Sequence, residues 1–230
     1  MTITPTVFTW PTAVVAVDQL FYVGGEASEG LFTVGGVMDK SPEPGGRAFL
    51  DCGFNYMKDD QTGRIVSWLM SKVTNGNVFR MPITRSLQIA TPPGVSIATE
   101  VAGLPWDLSI PWDEGFRWAY EPVVAADGAV LAGNGEIDID VGDLGTLLQI
   151  GHVIGPASGG AHLIDDISYA GSIATMKLTP PLRRDVADGA VFTLRPEMFC
   201  TVDNPDSFRA MFQYGKFVKP GNITFIEAII

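Results

Sequence analysis

The first quarter of the chain alternates short apolar runs with turn-forming clusters. Apolar runs lie at residues 13–17, 20–23, 31–34 and 48–54, and clusters rich in Gly and Pro separate the last three of them. Runs of this length between Gly and Pro residues are typical of β-strands. The pattern therefore predicts a β-sheet built from this part of the chain.

One segment after these runs has the spacing of an amphipathic helix. Its apolar residues recur at helical intervals, at Ile65, Trp68, Leu69 and Val73. Asp59 or Asp60 supplies an amino-terminal cap, and the pair Asn75-Gly76 favours a stop because both residues tolerate left-handed backbone angles. Residues 78–82 follow as a predicted strand. The order of strands, one helix and another strand predicts a sheet with a helix packed against it.

Residues 84–127 have no clear periodicity but are rich in proline and aromatic residues. The aromatic residues crowd together at Trp106, Trp112, Phe116, Trp118 and Tyr120. We interpret this stretch as a long ordered arm, because flexible linkers rarely carry so many aromatic side chains. Two interpretations stay open. The aromatic residues form a small buried cluster under the loop, or they form a subunit contact, since Trp and Tyr are enriched in interface hot spots.

The last hundred residues again predict strands. The pair Asn134-Gly135 is a hairpin signal, and residues 136–141 alternate strictly between acidic and apolar side chains. Further strands are predicted at residues 176–178, 190–194, 198–202, 211–214 and 223–229. The residues expected in the core are Val14, Val17, Phe49, Phe54, Ile65, Leu69, Phe79, Phe225 and Ile229.

Composition and charge narrow the class of protein. The chain has 230 residues, of which 46% are hydrophobic and 18% charged, so it has enough apolar surface to fold. Its net charge of −11 argues against a surface that binds nucleic acid. Arg183 and Arg184 form the only adjacent basic pair. With Asp185 beside them, they are predicted to lie at the surface or at a subunit contact, where Arg is favoured.

Cysteine usage and hydropathy indicate where the protein is made. Cys52 and Cys200 are far apart in sequence, and we expect two buried free thiols in a reducing cytoplasm. The first residues lack the pattern of a signal peptide. The longest uncharged run, residues 144–164, contains five glycines and both histidines. We therefore expect no insertion into a membrane.

Few residues have the pattern of a chemical site. Glu136, Asp138 and Asp140 would present carboxylates about 7 Å apart on one strand face, but a solvated strand face explains them better than a metal or acid/base cluster does. His152 and His162 flank a glycine-rich loop and lack the spacing of a metal or catalytic motif. We therefore expect no enzyme activity and no catalytic, cofactor-binding or metal-binding residue. A hydrolase that uses Asp138 and Asp140 or His152 is a third, weaker hypothesis.

Several motifs occur in an order that resembles one family. They are Phe8-Thr9-Trp10-Pro11, the helix of residues 65–69 with the strand of residues 76–80, Leu148-Gln149-Ile150-Gly151, residues 161–166, the segment 174–183 that ends in Pro180-Pro181-Leu182-Arg183, and residues 187–191. The chain resembles the distal-tail or minor tail-tip proteins of siphophages and of gene-transfer-agent particles. It departs from that family in the aromatic stretch at residues 100–127.

The resemblance implies a mainly β fold with one packed α-helix. Residues 1–83 and 198–230 would form a tail-tube-like sandwich or barrel domain, and residues 84–197 would hold the aromatic arm and a small β-barrel-like insertion. It implies a homo-oligomeric ring, a hexamer, that joins the tail tube protein to the baseplate hub protein in the virion. DNA would pass through the lumen without specific binding. The subunits would assemble in the cytoplasm of the bacterial host.

Two functions from different classes follow from these observations. The leading hypothesis is a structural tail-tip protein whose subunit contacts include Trp106, Trp112, Trp118, Tyr120, Arg183 and Arg184. The alternative is a carbohydrate- or receptor-binding tail module, in which the same aromatic rings stack on sugars. Loss of glycan binding in a Trp112→Ala variant would favour the alternative.

Overall fold

A computed structural model describes residues 6–11, 14, 16–24, 46–54, 60–83, 123–203, 211–213, 217–219 and 222–229. The protein is mainly β, with one α-helix in the described residues. The elements are β1 Val7–Thr9, β2 Ala16–Gly24, β3 Arg47–Phe54, α1 Asp60–Thr74, β4 Val78–Pro82, β5 Val123–Ala126, β6 Glu136–Asp140, a 3₁₀ turn at Gly142–Leu144, β7 Val153–Pro156, β8 His162–Ala170, β9 Ile173–Thr179, β10 Val191–Thr193, β11 Glu197–Val202, β12 Met211–Gln213, β13 Phe217–Lys219 and β14 Ile223–Glu227.

Six strands from both ends of the described chain form one sheet. Their order is β1-β4-β11-β14-β3-β2, so β1 and β2 are its two edge strands. β1 pairs with β4 in parallel, and the other pairs are antiparallel. Alternate residues of β3 face the core, which places Leu50 and Cys52 on the buried side and Phe49 and Asp51 on the opposite face. We call the buried side the inner face and the opposite side the outer face.

β2 joins two of the predicted apolar runs into one strand. The strand continues through Asp18-Gln19 from Ala16 to Gly24, with an irregular register between Ala16 and Asp18. Asp18 is exposed on this edge strand. A charged residue is tolerated there because an edge strand pairs with a neighbouring strand on one side only. The predicted strand at residues 31–34 lies outside the described residues.

The helix α1 covers the inner face of the sheet, as the spacing predicts, but with a different buried stripe. Val66, Leu69 and Val73 are buried, whereas Trp68 is 41% exposed. Trp68 therefore lies at the margin of the apolar stripe, with its ring edge-on to Phe8 at 5.7 Å between centroids. The predicted stop is confirmed, since Gly76 has φ +67° just beyond the last turn.

The second half of the described chain closes into a barrel. Its strand order is β10-β5-β6-β9-β8-β7, and β7 pairs with β10 to close it. The acidic strand β6 alternates as predicted, with Ile137 and Ile139 buried inside. β5 and β6 pair as an antiparallel hairpin, but their connection is long and spans residues 127–135. Within it, Gly133 takes the left-handed backbone at φ +86°. The tight turn predicted at Asn134-Gly135 is therefore wrong.

The predicted core residues have three outcomes. Those confirmed as buried are Val14, Phe54, Leu69, Phe79 and Phe225. Phe49 and Ile65 are half-buried. Phe49 lies on the outer face, where its ring stacks on Tyr22 with the centroids 5.3 Å apart. Ile229 is 59% exposed, so its assignment to the core is wrong; it lies beyond Glu227, where β14 ends. The side chain of Val17 lies outside the described residues.

Candidate functional site at the junction of sheet and barrel

The junction between the sheet and the barrel is built around one ion pair. Arg183 follows β9 of the barrel, and Glu227 is the last residue of β14 in the sheet. The Arg183 Nε donates to Glu227 Oε1 at 2.8 Å, and Nη2 donates to Oε2 at 2.8 Å. The two side chains are 23% and 10% exposed. Hydrogen bonding to Glu227 raises the pKa of Arg183, so the guanidinium keeps its charge.

The same pair also holds the start of β3. Arg183 Nη2 donates a second hydrogen bond to the carbonyl of Gly46, and the backbone N–H of Ala48 donates to Glu227 Oε2 at 3.1 Å. Three segments that are distant in sequence therefore meet on two charged side chains. Because each charge is satisfied by several hydrogen bonds, the pair can be buried without leaving an unpaired charge.

His162 lies beside this pair and is 2% exposed. Its Nδ1 is 2.7 Å from the carbonyl oxygen of Pro180. A carbonyl only accepts, so Nδ1 carries the hydrogen of a neutral ring. Burial lowers the pKa of His162 and outweighs the opposing effects of the Pro180 hydrogen bond and the negative charge of Glu227. The histidine is thus a neutral structural side chain that fixes the loop after β9.

On the outer face of β11, Phe199 lies within reach of two guanidinium groups. Arg80 Cζ is 5.9 Å and Arg184 Cζ is 5.8 Å from the ring centroid. Arg80 also donates to the carbonyl of Ala157 at 3.2 Å and forms an ion pair with Glu197. The Arg184–Phe199 contact links the barrel half to β11, and the hydrogen bond from Arg80 to Ala157 links it to β4.

A pocket of about 90 Å³ lies between these groups. Its lining includes His162, Arg183, Phe199, Glu227 and Ile229. Pockets that hold drug-sized ligands have volumes of about 300–1,000 Å³. This pocket is well below that range, so its size suits the insertion of a side chain better than the binding of a substrate of that size.

The predicted contact residues fall into two groups. Trp106, Trp112, Trp118 and Tyr120 lie outside the described residues. Arg183 and Arg184 are both at the junction, but their charge partner differs from the expected one. Asp185 accepts a hydrogen bond from the backbone N–H of Ala132 at 2.8 Å, while the carboxylate that binds Arg183 is Glu227.

The acidic strand and His152 have local hydrogen-bond partners. Asp138 accepts from the Thr175 hydroxyl at 2.6 Å, and Asp140 accepts from the N–H of Gly142 at 3.0 Å. The Nδ1 of His152 accepts from the N–H of Gln149 at 3.0 Å. Within the described ranges, no three His, Cys, Asp or Glu side chains are grouped so that they could hold a metal ion.

The two cysteines are free and buried, as predicted. Burial, together with the nearby charge of Asp51, raises the pKa of Cys52 to about 12. Burial also raises the pKa of Cys200 well above its usual value. Both thiols therefore stay protonated at neutral pH and lack the thiolate that a nucleophile needs.

Sequence reasoning missed Glu227, His162 and Phe199 as parts of this junction. One signal was available for Glu227, which is the only charged residue in the apolar run of residues 223–230. A lone acid in such a strand is expected to have a cationic partner if the strand is buried. The sequence offers no comparable signal for Phe199, because its contacts depend on how the barrel sits against the sheet.

Comparison with known proteins finds no match for this chain, either among protein-family models or among curated sequences. No helix in the described part of the chain is long and apolar enough to cross a membrane.

Proposed function

We propose that this protein is a structural component of the tail tip of a long-tailed bacteriophage. It forms a ring, a hexamer, that joins the tail tube protein to the baseplate hub protein. DNA passes through the lumen without specific binding. The protein has a structural role and no catalytic role. It assembles in the cytoplasm of the host bacterium and is located in the virion.

The observation that carries the proposal is the asymmetry of the six-stranded sheet. Among the described strands, β1 and β2 each have one unpaired edge, and these edges differ in length and direction of pairing. Two different edges on one subunit suit a head-to-tail contact, in which one surface meets the other on the next copy. Such contacts form a closed ring when the rotation between copies fits. Contacts between subunits would also cover edges that otherwise promote aggregation.

The junction and the charge balance support the same function. The Arg183–Glu227 pair holds the barrel against the sheet, which suits a subunit whose role is to keep a fixed shape. The net charge of −11 disfavours tight contact with the phosphate backbone of passing DNA.

The test is the mass of the purified protein by light scattering, followed by negative-stain imaging alone and after mixing with the tail tube and hub proteins. We expect a single ring species with a central hole wide enough for duplex DNA. A compact monomer that also fails to join a ring with those two partners would contradict the proposal. Labelling of the protein in purified phage particles would test whether it lies at the tail tip.

A further inference from the structure

A line of basic and aromatic side chains runs along the exposed side of α1. Arg64, Trp68 and Lys72 are spaced four residues apart, so they lie one above another on the helix surface. Arg64 is exposed, Trp68 is 41% exposed and Lys72 is half-buried. We call these three residues the basic stripe.

The basic stripe lies at the β1 end of the sheet. Trp68 packs edge-on against Phe8 of β1, and Lys72 Nζ is 5.2 Å from the centroid of the same ring. Phe8 thus fixes the stripe beside one edge strand. Since the chain carries 26 acidic and 15 basic residues, a surface with two cations around an exposed Trp differs from the average surface of this protein.

An acidic surface with exposed apolar side chains lies at the other end of the sheet. On the outer face of β2, Leu20 is 61% and Tyr22 is 38% exposed, and Leu20 lies in register with Asp51 of β3. Thr224 of β14 is in register with Asp51 on its other side, and its carbonyl accepts from the N–H of Asp203. We define the acidic face by Asp18, Leu20, Tyr22, Asp51 and Asp203.

The strand registers place Leu20 and Thr224 on either side of Asp51. The pKa of Tyr22 is raised by burial first, and then by the negative charges of Asp51 and Asp203. In addition, Asp51 Oδ1 is shielded from solvent and has no hydrogen-bond partner in the described structure. A shielded carboxylate oxygen without a donor costs free energy, and a cation placed over it would reduce that cost.

We propose that the basic stripe of one copy docks on the acidic face of the next copy. This inference rests on the proposed ring and names its contact. The two surfaces have opposite charge, each includes a partly exposed aromatic ring, and they lie at opposite edges of one sheet. Copies with a net charge of −11 repel one another, and a local contact between opposite charges would offset that repulsion.

The contact can be tested by reversing each surface separately. The first variant, Arg64→Glu with Lys72→Glu, makes the stripe acidic. The second variant, Asp18→Lys with Asp203→Lys, makes the acidic face basic. Alone, each variant should bring like charges together and weaken self-association at least tenfold, measured by light scattering or native mass spectrometry over a range of protein concentrations.

A mixture of the two variants should recover assembly. The reversed stripe of the first variant fits the reversed face of the second, and the two unaltered surfaces fit each other. The variants would then alternate around the ring, which requires an even number of copies, as in a hexamer. Assembly of the wild-type protein and of the mixture should also weaken as salt is raised. Urea midpoints of both variants verify that each is folded.

Lys177→Glu is the matched control, because this side chain is 59% exposed on the barrel, outside both surfaces. It should assemble like the wild type. If both variants still form the ring that the wild-type protein forms, this contact is overturned and the proposed ring stays intact. Loss of assembly in each variant without recovery in the mixture would also overturn it. A wild-type chain that forms no ring alone or with the tube and hub proteins would overturn the ring and the contact together.

Discussion

Arg183 and Glu227 meet in a two-pronged ion pair, with both donor–acceptor distances at 2.8 Å. Arg183 belongs to the barrel half of the described chain and Glu227 to the last strand of the sheet. The pair also binds the backbone at Gly46 and Ala48. One pair of side chains therefore fixes the barrel, β14 and the start of β3 relative to one another.

Removal of one charge from this pair should destabilise the fold. Glu227→Gln leaves Arg183 largely buried without a counter-charge, and we expect the free energy of unfolding to fall by about 2–4 kcal/mol. The effect is measured by urea unfolding at pH 7. Asp166→Asn is the control, since the Asp166–Lys177 pair is 3.4 Å apart with both side chains 59% exposed. An exposed pair of this kind contributes about 0–1 kcal/mol.

A double replacement separates the ion pair from the burial of a single charge. Arg183→Met combined with Glu227→Gln removes both charges, so the double variant should lose less stability than the sum of the single variants. A purely additive result would mean that the two side chains do not interact in solution. In that case, the Arg183–Glu227 ion pair would not be what fixes the junction.

The buried histidine predicts how stability changes with pH. The pKa of His162 is lowered from its ordinary value of 6.5 by burial, so the folded ring stays neutral where the unfolded ring takes up a proton. The unfolded state then binds more protons below about pH 6.5, and stability falls as the pH is lowered through that region. One proton contributes a slope of at most about 1.4 kcal/mol per pH unit.

A histidine replacement identifies the residue responsible. His162→Asn keeps an N–H donor for the carbonyl of Pro180 and removes the titrating ring. Its urea midpoint should depend less on pH between about 6.5 and 5.5 than that of the wild type. The pKa of His152 is also lowered by burial, so His152→Asn serves as the comparison. An unchanged pH dependence in His162→Asn would contradict a buried neutral ring at this position.

The two thiols should be unreactive until the protein unfolds. Cys52 is 1% exposed and Cys200 is fully buried, and the pKa of each is raised. With a thiol reagent at pH 8 we expect no rapid reaction in the native state and two reactive groups per chain in guanidinium chloride. A thiol that reacts within seconds in the native protein would place a cysteine at the surface.

The sequence predicts those features that depend on local periodicity. The strand alternation of β6 and the stop of α1 at Gly76 follow from residues close in sequence. The helical spacing predicts Trp68 in the buried stripe, but spacing alone does not give the rotation of a helix against its sheet. Here the packing of Val66, Leu69 and Val73 turns Trp68 toward the edge strand.

The candidate site could be predicted only in part, because its residues come from distant segments. The adjacent pair Arg183-Arg184 is visible in the sequence, but its natural neighbour Asp185 binds the backbone of Ala132 instead. The partner Glu227 lies 44 positions away, and only the registration of barrel and sheet brings it close. Tertiary contacts of this kind are not contained in the periodicity of a single segment.

A close backbone approach in the barrel, between β7 and the turn at Gly160, gives the last prediction. Gly155 is in β7, where the barrel closes against β10, and a Cβ at this position would overlap the backbone carbonyl oxygen of Gly160. It would also lie 3.0 Å from Cβ of Pro196, at the start of the sheet strand β11. Backbone atoms cannot rotate away as a side chain does. Gly155→Ala should therefore lower the free energy of unfolding by about 3 kcal/mol, at the upper end of the usual cost of overpacking.

Gly135→Ala is the matched control for this close approach. Its added Cβ would meet only the carbonyl oxygen of Leu178, at an ordinary 3.5 Å, so we expect a change within about 0.5 kcal/mol. Both variants add one methyl group to the barrel half of the chain, and both are compared by urea unfolding with the wild type. Because Gly155 and Gly135 differ mainly in the space around Cβ, equal losses in the two variants would mean that β7 and the Gly160 turn are further apart in solution. A large loss confined to Gly155→Ala would establish that β7 and the Gly160 turn meet there with room for hydrogen atoms only.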